Sequence, residues 1–281
     1  MVKTQQRYQR LGGRYIGIFF YLAGFVGATI VFIFLGRQFF PETLFRTNIL
    51  LVGNPMVVLS YDAPREHITV IKIPADMVVS GITGVGQYSL ESLWKLGNID
   101  KQKQNILIES LSESLAVPIA WYVGPKGEDI PNHTDVEAMI RKIFSYGGII
   151  RHIVRNRTSI PFGQYFSFVM ATAKLRTDAL TYIDLDHTPA IVQKEEADGT
   201  TIPILDEAGF DILLGTALEE DSIRKESLRV AVYNTTDMPT LGHRAERKVN
   251  KIGALVVEVG NDTTVVDTCI VSGIKSVIEI F

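Results

Sequence analysis

Five basic residues lie close together in the middle of the chain, and their side chains are of the kind that binds phosphate. A guanidinium group donates two parallel hydrogen bonds to phosphate oxygens, and an ammonium group adds a point charge. On adjoining helices such a cluster can hold an anion, whereas on one helix face it is simply solvated. Both interpretations stay open for the cluster, which consists of Arg141, Lys142, Arg151, Arg155 and Arg157.

Other residues with possible chemistry occur in isolation. The motif DLDH (184–187) follows an apolar run and is either a metal site or a solvated strand end. No second motif at ligand spacing accompanies it, so no metal site is predicted. No serine lies in a G-x-S-x-G elbow, which leaves a hydrolase triad without its nucleophile. The glycine-rich stretch GITGVGQ (81–87) lacks the Gly-Lys-Ser/Thr of a phosphate loop and is interpreted as a turn.

The N-terminal region contains one long apolar segment, residues 15–36, in which no residue is charged. A helix of this length spans about 33 Å, close to the roughly 30 Å of a bilayer core. Four basic residues and no acid precede it, so residues 1–14 are predicted as a cytoplasmic tail and the bulk of the chain as extracytoplasmic. A cleaved signal peptide is the alternative, but its apolar core is shorter and ends at a small-residue cleavage site.

The charge distribution argues against nucleic acid as a partner. The chain has 28 basic and 31 acidic residues, and four of the basic ones precede the apolar segment, so the remainder has 24 basic and 31 acidic residues and a formal charge of −7. Such a surface does not attract polyanions in bulk. One cysteine and five histidines exclude a disulfide framework and a cysteine-rich zinc site.

Hydrophobic patterning beyond the apolar segment predicts two folded units. After a predicted linker at 37–45, strand-like runs alternate with helical patterns over residues 46–218, which is typical of a layered α/β domain. The charged stretch at 219–226 predicts a second linker. Residues 227–281 then show a strand, a helix and two further strands, which predicts a small β-α-β-β domain.

Capping residues predict where two helices begin. Asp100 is a suitable N-cap for a helix with a buried stripe that ends before Pro118. Thr134 and Glu137 form a T-x-x-E capping box, which predicts that the next helix begins at Thr134.

The order of these segments resembles the LytR–CpsA–Psr family. RTNILLVGN (46–54) and MVVLSYDAPREHITVIKIPAD (56–76) are similar to the family's opening strand and the strand–turn–strand pair that follows it. SLAVPIAWYV (114–123) is similar to a later family segment. Residues 228–261 resemble the separate LytR C-terminal domain. The motif positions of that domain are occupied by Asn234, Thr235, Gly242, Gly253 and Asn261.

The resemblance implies a chemistry from which this sequence departs. Family members transfer glycopolymers from a polyprenyl-pyrophosphate carrier to the cell wall, with arginines on the pyrophosphate and aspartates on magnesium. Of these ligands only Asp76 carries over, because Ala75 stands at an arginine position and the segment between 123 and 151 is too short for the others. A pyrophosphate needs several fixed cations. The candidates for phosphate binding are therefore Asp76, Arg151, Arg155 and Arg157, and the catalytic residues stay unknown.

The expected function is that of a single-pass cell-membrane protein, a non-catalytic relative of the family that binds or scaffolds in cell-wall assembly. Its expected partners are the membrane, through one helix, and a cell-wall glycopolymer, a polyprenyl lipid or other envelope proteins. No cofactor is expected. One alternative is an active glycopolymer phosphotransferase that uses the basic cluster and magnesium. The other is a purely structural partner of another membrane protein.

Overall fold

The computed structural model describes residues 24–27, 29, 46–82, 86–100, 105–145, 156–174, 179–262, 270 and 272. Within these ranges no helix is long and apolar enough to cross a membrane. The predicted membrane segment at 15–36 lies outside the described residues except for 24–27 and 29, which are helical and exposed. Arg151 and Arg155 also lie outside them.

A six-stranded mixed sheet forms the centre of the fold. Its strands are Thr47–Leu51 (β1), Met56–Asp62 (β2), His67–Ile73 (β3), Trp121–Pro125 (β6), Asn156–Thr158 (β7) and Leu180–Asp184 (β8), in the spatial order β7-β6-β1-β2-β3-β8. β1, β3, β6 and β8 point in one direction, and β2 and β7 point in the other. The central strands are aliphatic and buried on both faces, as expected of a sheet covered on two sides.

Helices cover both faces of this sheet. One face packs against Leu90–Ile99 (α1), Ile106–Leu115 (α2) and Glu207–Leu214 (α5). The other packs against Val136–Ile143 (α3) and Phe162–Lys174 (α4). Successive residues of a strand belong to the hydrophobic cores on opposite faces of the sheet, because side chains alternate across a sheet. The layered α/β class predicted from the sequence is confirmed.

A second, smaller sheet lies on the α1–α2 side. It contains Val78–Ser80 (β4), Gln87–Ser89 (β5), Ile191–Glu195 (β9) and Thr201–Leu205 (β10), in the order β5-β4-β10-β9. The glycine-rich stretch at 81–87 connects β4 to β5, and the Gly81 N–H donates to the Gly86 carbonyl at 2.7 Å. The two strands are antiparallel neighbours, and residues 83–85 between them lie outside the described residues.

The C-terminal unit is a β-α-β crossover. Arg229–Asn234 (β11) and Leu255–Asn261 (β12) pair in parallel, with Leu241–Lys251 (α7) between them in sequence. The last strand predicted for this unit falls on residues 263–271, which lie outside the described residues apart from Ile270.

The stretch predicted as a linker before this unit is folded. It contains the short helix Asp221–Glu226 (α6), whose Ile223 is buried. The Glu220 N–H also donates to the Ile252 carbonyl at 3.0 Å, which ties the stretch to the end of α7. The division of the chain into two domains stays a prediction.

Two helix starts differ from those predicted. Asp100 ends α1, with its N–H donating to the Leu96 carbonyl at 2.9 Å, and α2 begins only after Asn105. The N-cap of α3 is Asp135, whose carboxylate accepts from the Ala138 N–H at 2.9 Å. The prediction chose the neighbouring Thr134. Both errors arise because several cap-type residues stand near each boundary, and local sequence alone does not select among them.

Candidate functional site

The carboxyl ends of β1, β3, β6 and β8 meet at one edge of the six-stranded sheet. Ligands of open α/β sheets bind outside this edge, where the loops leave a crevice. Because β7 is antiparallel to β6, its first residues lie at the same edge. We call the loops after these four strands, together with the start of β7, the carboxyl edge.

The loop after β1 is fixed by the segment that precedes α3. The Asn54 N–H donates to the Pro131 carbonyl at 2.9 Å, and the His133 N–H donates to the Asn54 carbonyl at 2.8 Å. The His133 ring lies against Gly53, where a Cβ atom would be 2.5 Å from Cδ2. Burial, with a smaller contribution from the charge of Lys142, lowers the pKa of His133. The ring is therefore mainly neutral at pH 7.

The turn after β3 presents one carboxylate to solvent. Asp76 is exposed, whereas Ala75 is 3% exposed and belongs to the core under α1. The Glu91 N–H, in the first turn of α1, donates to the Ala75 carbonyl at 2.9 Å. The position where the resemblance implies an arginine is therefore held by a small, buried side chain that carries no charge.

An ion pair joins β3 to β8 at the same edge. Lys72 and Asp184 are opposite each other in the parallel register, and Lys72 Nζ lies 2.6 Å from Asp184 Oδ2. Partial burial opposes ionisation, but the hydrogen bond and charge of Lys72 prevail and lower the pKa of Asp184. His187 Nδ1 is 3.7 Å from the same carboxylate.

The DLDH motif therefore takes part in an ion pair. Across the described parts of the chain, no three or more His, Cys, Asp and Glu side chains come close enough to hold a metal. Sequence reasoning missed Lys72, since its partner is 112 residues away and only the pairing of β3 with β8 brings them together.

The described arginines of the basic cluster have separate partners. Arg157, at the start of β7, donates from Nη1 to the Asn98 side-chain oxygen on α1 at 2.6 Å. This partner is a neutral amide, so within the described parts of the chain this bond does not compensate the guanidinium charge. Arg141 lies on the exposed face of α3 and donates to Glu137 at 2.6 Å. Arg157 thus belongs to the carboxyl edge, whereas Arg141 is a solvated surface residue.

The C-terminal motif residues shape the backbone of the β-α-β unit. Asn234 pairs with Asn261 at the ends of the two parallel strands. The Asn234 side-chain oxygen accepts from the Thr236 N–H at 3.0 Å, and its amide donates to the Met238 carbonyl at 2.9 Å. Asn234 therefore closes the loop that leads into α7, in the manner of an Asx turn. Thr235 lies in this loop and is partly buried.

The two motif glycines allow close packing and a left-handed turn. At Gly242 a Cβ atom would lie 3.0 Å from Val259 Cγ1, so the helix approaches β12 closely. Gly253 has a φ of +103°, which lets the chain turn back after α7 at little cost. These positions specify the fold of the unit, and no ligand is needed to account for them.

The sequence matches no family model and no curated protein. Solved structures similar to this chain include ywtF from Bacillus subtilis, described as a putative transcriptional regulator, with a TM-score of 0.47, 12% identity, and coverage of 77% of this chain and 94% of that one. TagV from Bacillus subtilis gives a TM-score of 0.45 and 10% identity, and the match covers 61% of this chain and 95% of that one. The LytR-CPS2A-psr family protein YwtF (TagT) with bound octaprenyl pyrophosphate lipid gives a TM-score of 0.40 and 13% identity, and the match covers 60% of this chain and 87% of that one.

These structural neighbours belong to the LytR–CpsA–Psr family, the family that the sequence resembles. Their identities to this chain are 10–13% and their TM-scores are 0.40–0.47. Similarity at this level transfers neither an activity nor the role of any residue.

Proposed function

We propose that this chain is a cell-envelope protein of the LytR–CpsA–Psr type that binds an anionic envelope ligand at its carboxyl edge without transferring phosphate. The observation that carries the non-catalytic part is the burial of Ala75 beside the exposed Asp76. The envelope location and the kind of ligand, a polyprenyl lipid or a cell-wall glycopolymer, are supported by the sequence resemblance and by the apolar segment at 15–36.

Electrostatics at the carboxyl edge supports binding over phosphoryl transfer. Transfer of a phosphoryl group needs preorganised cations that stabilise the charge of the transition state. The Lys72 ammonium forms an ion pair with Asp184, with 2.6 Å between Nζ and Oδ2. Ala75 has no charge to contribute. Among the described residues, Arg157 is a guanidinium that donates a hydrogen bond to a neutral amide. One such group can attract an anion, but by itself it replaces a small part of the charge that transfer requires.

Catalysis is tested with the purified full-length chain, a polyprenyl pyrophosphate and magnesium. Turnover at the background rate is expected, both for the wild type and for Asp76→Ala. Pyrophosphate cleavage clearly above background that Asp76→Ala or Arg155→Ala abolishes would contradict the proposal. That result would establish the active phosphotransferase instead.

Binding is tested separately, with the full-length chain held in phosphatidylcholine nanodiscs and a short-chain polyprenyl phosphate, or the matching polyprenyl alcohol, added to them. Binding is expected only of the phosphate, and Arg157→Gln should weaken it about tenfold or more, as for the loss of a charge-assisted hydrogen bond. Arg141→Gln is the matched control, because Arg141 is paired with Glu137 on the surface of α3. Equal losses in both variants would indicate nonspecific attraction and would contradict binding at the carboxyl edge.

The proposed topology places residues 1–14 in the cytoplasm and the folded part outside, with residues 15–36 as the anchor. It is supported by the four basic residues and the absence of acids before the apolar segment. Protease added to intact spheroplasts should degrade the folded part. Full protection of the C-terminal unit, in spheroplasts whose known outer proteins are digested, would contradict the envelope location.

A further inference from the structure

A cavity lies between the C-terminal unit and the α/β domain, away from the carboxyl edge. Its volume is about 310 Å³, at the lower end of the range found for small-molecule sites. The first turn of α7 forms one wall, and the ends of β4 and α2 with the start of α5 form the other. The lining includes Glu113, Ser114, Glu207, Thr240, His243 and Arg244.

Two lining side chains have hydrogen-bond capacity that the fold leaves unused. Ser114 is 8% exposed, and its hydroxyl group makes no hydrogen bond to any residue that the structure describes. Arg244 is half-exposed, and its Nε lies 3.6 Å from Glu113 Oε1, within ion-pair distance but too long for a hydrogen bond. Ser114 and Arg244 both line the cavity, so the hydroxyl group and the guanidinium are placed to donate to a ligand there.

The first turn of α7 adds further donors to the same wall. The Thr240 side chain makes no capping hydrogen bond, although Thr240 stands at the N-cap. His243 Nδ1 lies 3.0 Å from Glu246, which leaves its Nε2 unengaged by that contact. A helix N-terminus favours negative charge, and here it stands beside a guanidinium and a hydroxyl group. An anionic group fits this combination of donors.

The two carboxylates that line the cavity are neutralised by partners. Glu113 Oε2 lies 2.5 Å from Lys248 Nζ, and Glu207 forms an ion pair with Arg247. Their charges therefore repel an anion only weakly, while their oxygens remain acceptors. Hydroxyl groups are the ligand donors that such oxygens accept from. The lining thus offers donors for an anion and acceptors for hydroxyl groups within one cavity.

We propose that this cavity binds a small hydroxylated anion, with its phosphate or carboxylate group at Arg244 and Ser114 and its hydroxyl groups at Glu113 and Glu207. The site is independent of the carboxyl edge and of the function proposed for it. Because the ligand contacts both α7 and α2, binding also holds the C-terminal unit against the α/β domain.

The test is isothermal titration calorimetry of the purified full-length chain. The probes are sn-glycerol 3-phosphate and glucuronate, which separate the two possible anionic groups, with glycerol and inorganic phosphate as partial ligands. Saturable binding of one or both hydroxylated anions is expected, tighter than that of either partial ligand. No saturable binding of either anion would overturn the proposal. If glycerol bound as tightly as the hydroxylated anions, the role assigned to the anionic group would be wrong. If inorganic phosphate bound as tightly as they do, the role assigned to the hydroxyl groups would be wrong.

Two serines of α2 provide a matched pair of variants. Ser114→Ala removes a hydroxyl group that makes no hydrogen bond within the described part of the chain, so ligand affinity should fall several-fold while the melting temperature changes little. Ser112→Ala removes a hydroxyl group that donates to the Val117 carbonyl at 2.8 Å, so stability should fall and affinity should not. Arg244→Gln should weaken binding about tenfold or more. Unchanged affinity in both Ser114→Ala and Arg244→Gln, with folding intact, would place the binding elsewhere and overturn the proposal.

Discussion

Arg46 and Asp62 form a buried ion pair at the edge of the six-stranded sheet opposite to the carboxyl edge, with 2.6 Å between Nη2 and Oδ2. Their side chains are only 4% and 3% exposed. Arg46 also donates from Nη1 to Ser60 at 3.2 Å and from its backbone N–H to the Glu220 carboxylate. Since Glu220 is bonded to Ile252, the pair links the start of β1 to the C-terminal unit.

Removal of one partner from this pair should be strongly destabilising. Asp62→Ala removes the carboxylate that is hydrogen-bonded to the buried Arg46 guanidinium, and breaking a buried pair in this way costs about 3–5 kcal/mol. Urea denaturation measures the loss. The control is Glu137→Ala, which breaks the exposed pair with Arg141 and should cost no more than about 0.5 kcal/mol. Similar losses in the two variants would show that burial does not determine the strength of the Arg46–Asp62 pair.

Glu220 should make stability depend on pH in an unusual direction for an acid. Burial raises the pKa of Glu220 and outweighs the hydrogen bond and charge of Arg46. The folded state therefore binds a proton more readily than the unfolded state. This group favours folding below its unfolded pKa, and that contribution is lost as the pH rises through the raised folded value.

The measurement is the free energy of unfolding of Glu220→Gln and wild type from pH 4 to pH 8. Glutamine carries no charge to bury. The free energy of unfolding of the variant should therefore increase relative to that of the wild type as the pH rises through the folded pKa of Glu220. Asp221→Asn serves as the control, since Asp221 is partly exposed and its pKa is lowered by the hydrogen bond from Arg65. A stability difference between Glu220→Gln and wild type that is constant with pH would contradict the raised pKa.

The C-terminal unit docks on α5 through Asp211. Arg247 Nε and Lys251 Nζ, both on α7, lie 3.0 and 2.8 Å from its carboxylate oxygens. Partial burial opposes ionisation, but these two bonds prevail and lower the pKa of Asp211. Asp211 therefore stabilises the folded state above its unfolded pKa, and this stabilisation is lost as the pH falls through its folded pKa.

Asp211→Asn should therefore loosen the C-terminal unit at pH 7 with little effect on the large sheet. Hydrogen exchange should quicken in β11, α7 and β12 and stay unchanged in β1–β3. Asp198→Asn is the control, because the bonds that Asp198 makes to described residues stay within the β9–β10 hairpin, to Thr200. Unchanged exchange in α7 would mean that the contact with α5 contributes little to docking.

Local patterning predicted much of the architecture, and long-range pairing set the rest. The apolar runs of β1, β2 and β3 and the buried stripe of α2 are visible in the sequence, because burial imposes a period of two or of 3.6. The Lys72–Asp184 pair is not visible, since β3 and β8 become neighbours only when the sheet forms. The Arg157–Asn98 bond is hidden for the same reason. Asp76 was predicted at the site from the resemblance, and nothing local showed that its neighbour Ala75 faces the core.

Gly124, near the end of β6, allows the Trp94 ring to lie across the strand. A Cβ atom at this position would be 2.5 Å from Trp94 Cη2 and 3.2 Å from Val52 Cβ. Trp94 is 4% exposed, and its ring contacts Tyr122 edge-on at 5.8 Å between centroids. The ring therefore has little room to move. Since α1 packs against β6 through this contact, Gly124 helps to hold the carboxyl edge in place.

Gly124→Ala should destabilise the protein by about 1–3 kcal/mol, the usual cost of overpacking a core. Urea denaturation gives the stability, and the near-ultraviolet circular dichroism signal reports the packing of the Trp94 ring. Gly127→Ala is the matched control, because the nearest atom to a Cβ there is the Asp129 nitrogen at 4.0 Å. That substitution should be neutral or stabilise by about 0.4–1 kcal/mol, since it reduces the freedom of the unfolded chain. A neutral Gly124→Ala with an unaltered Trp94 signal would show that α1 can shift away from β6, and the carboxyl edge would then not depend on this contact.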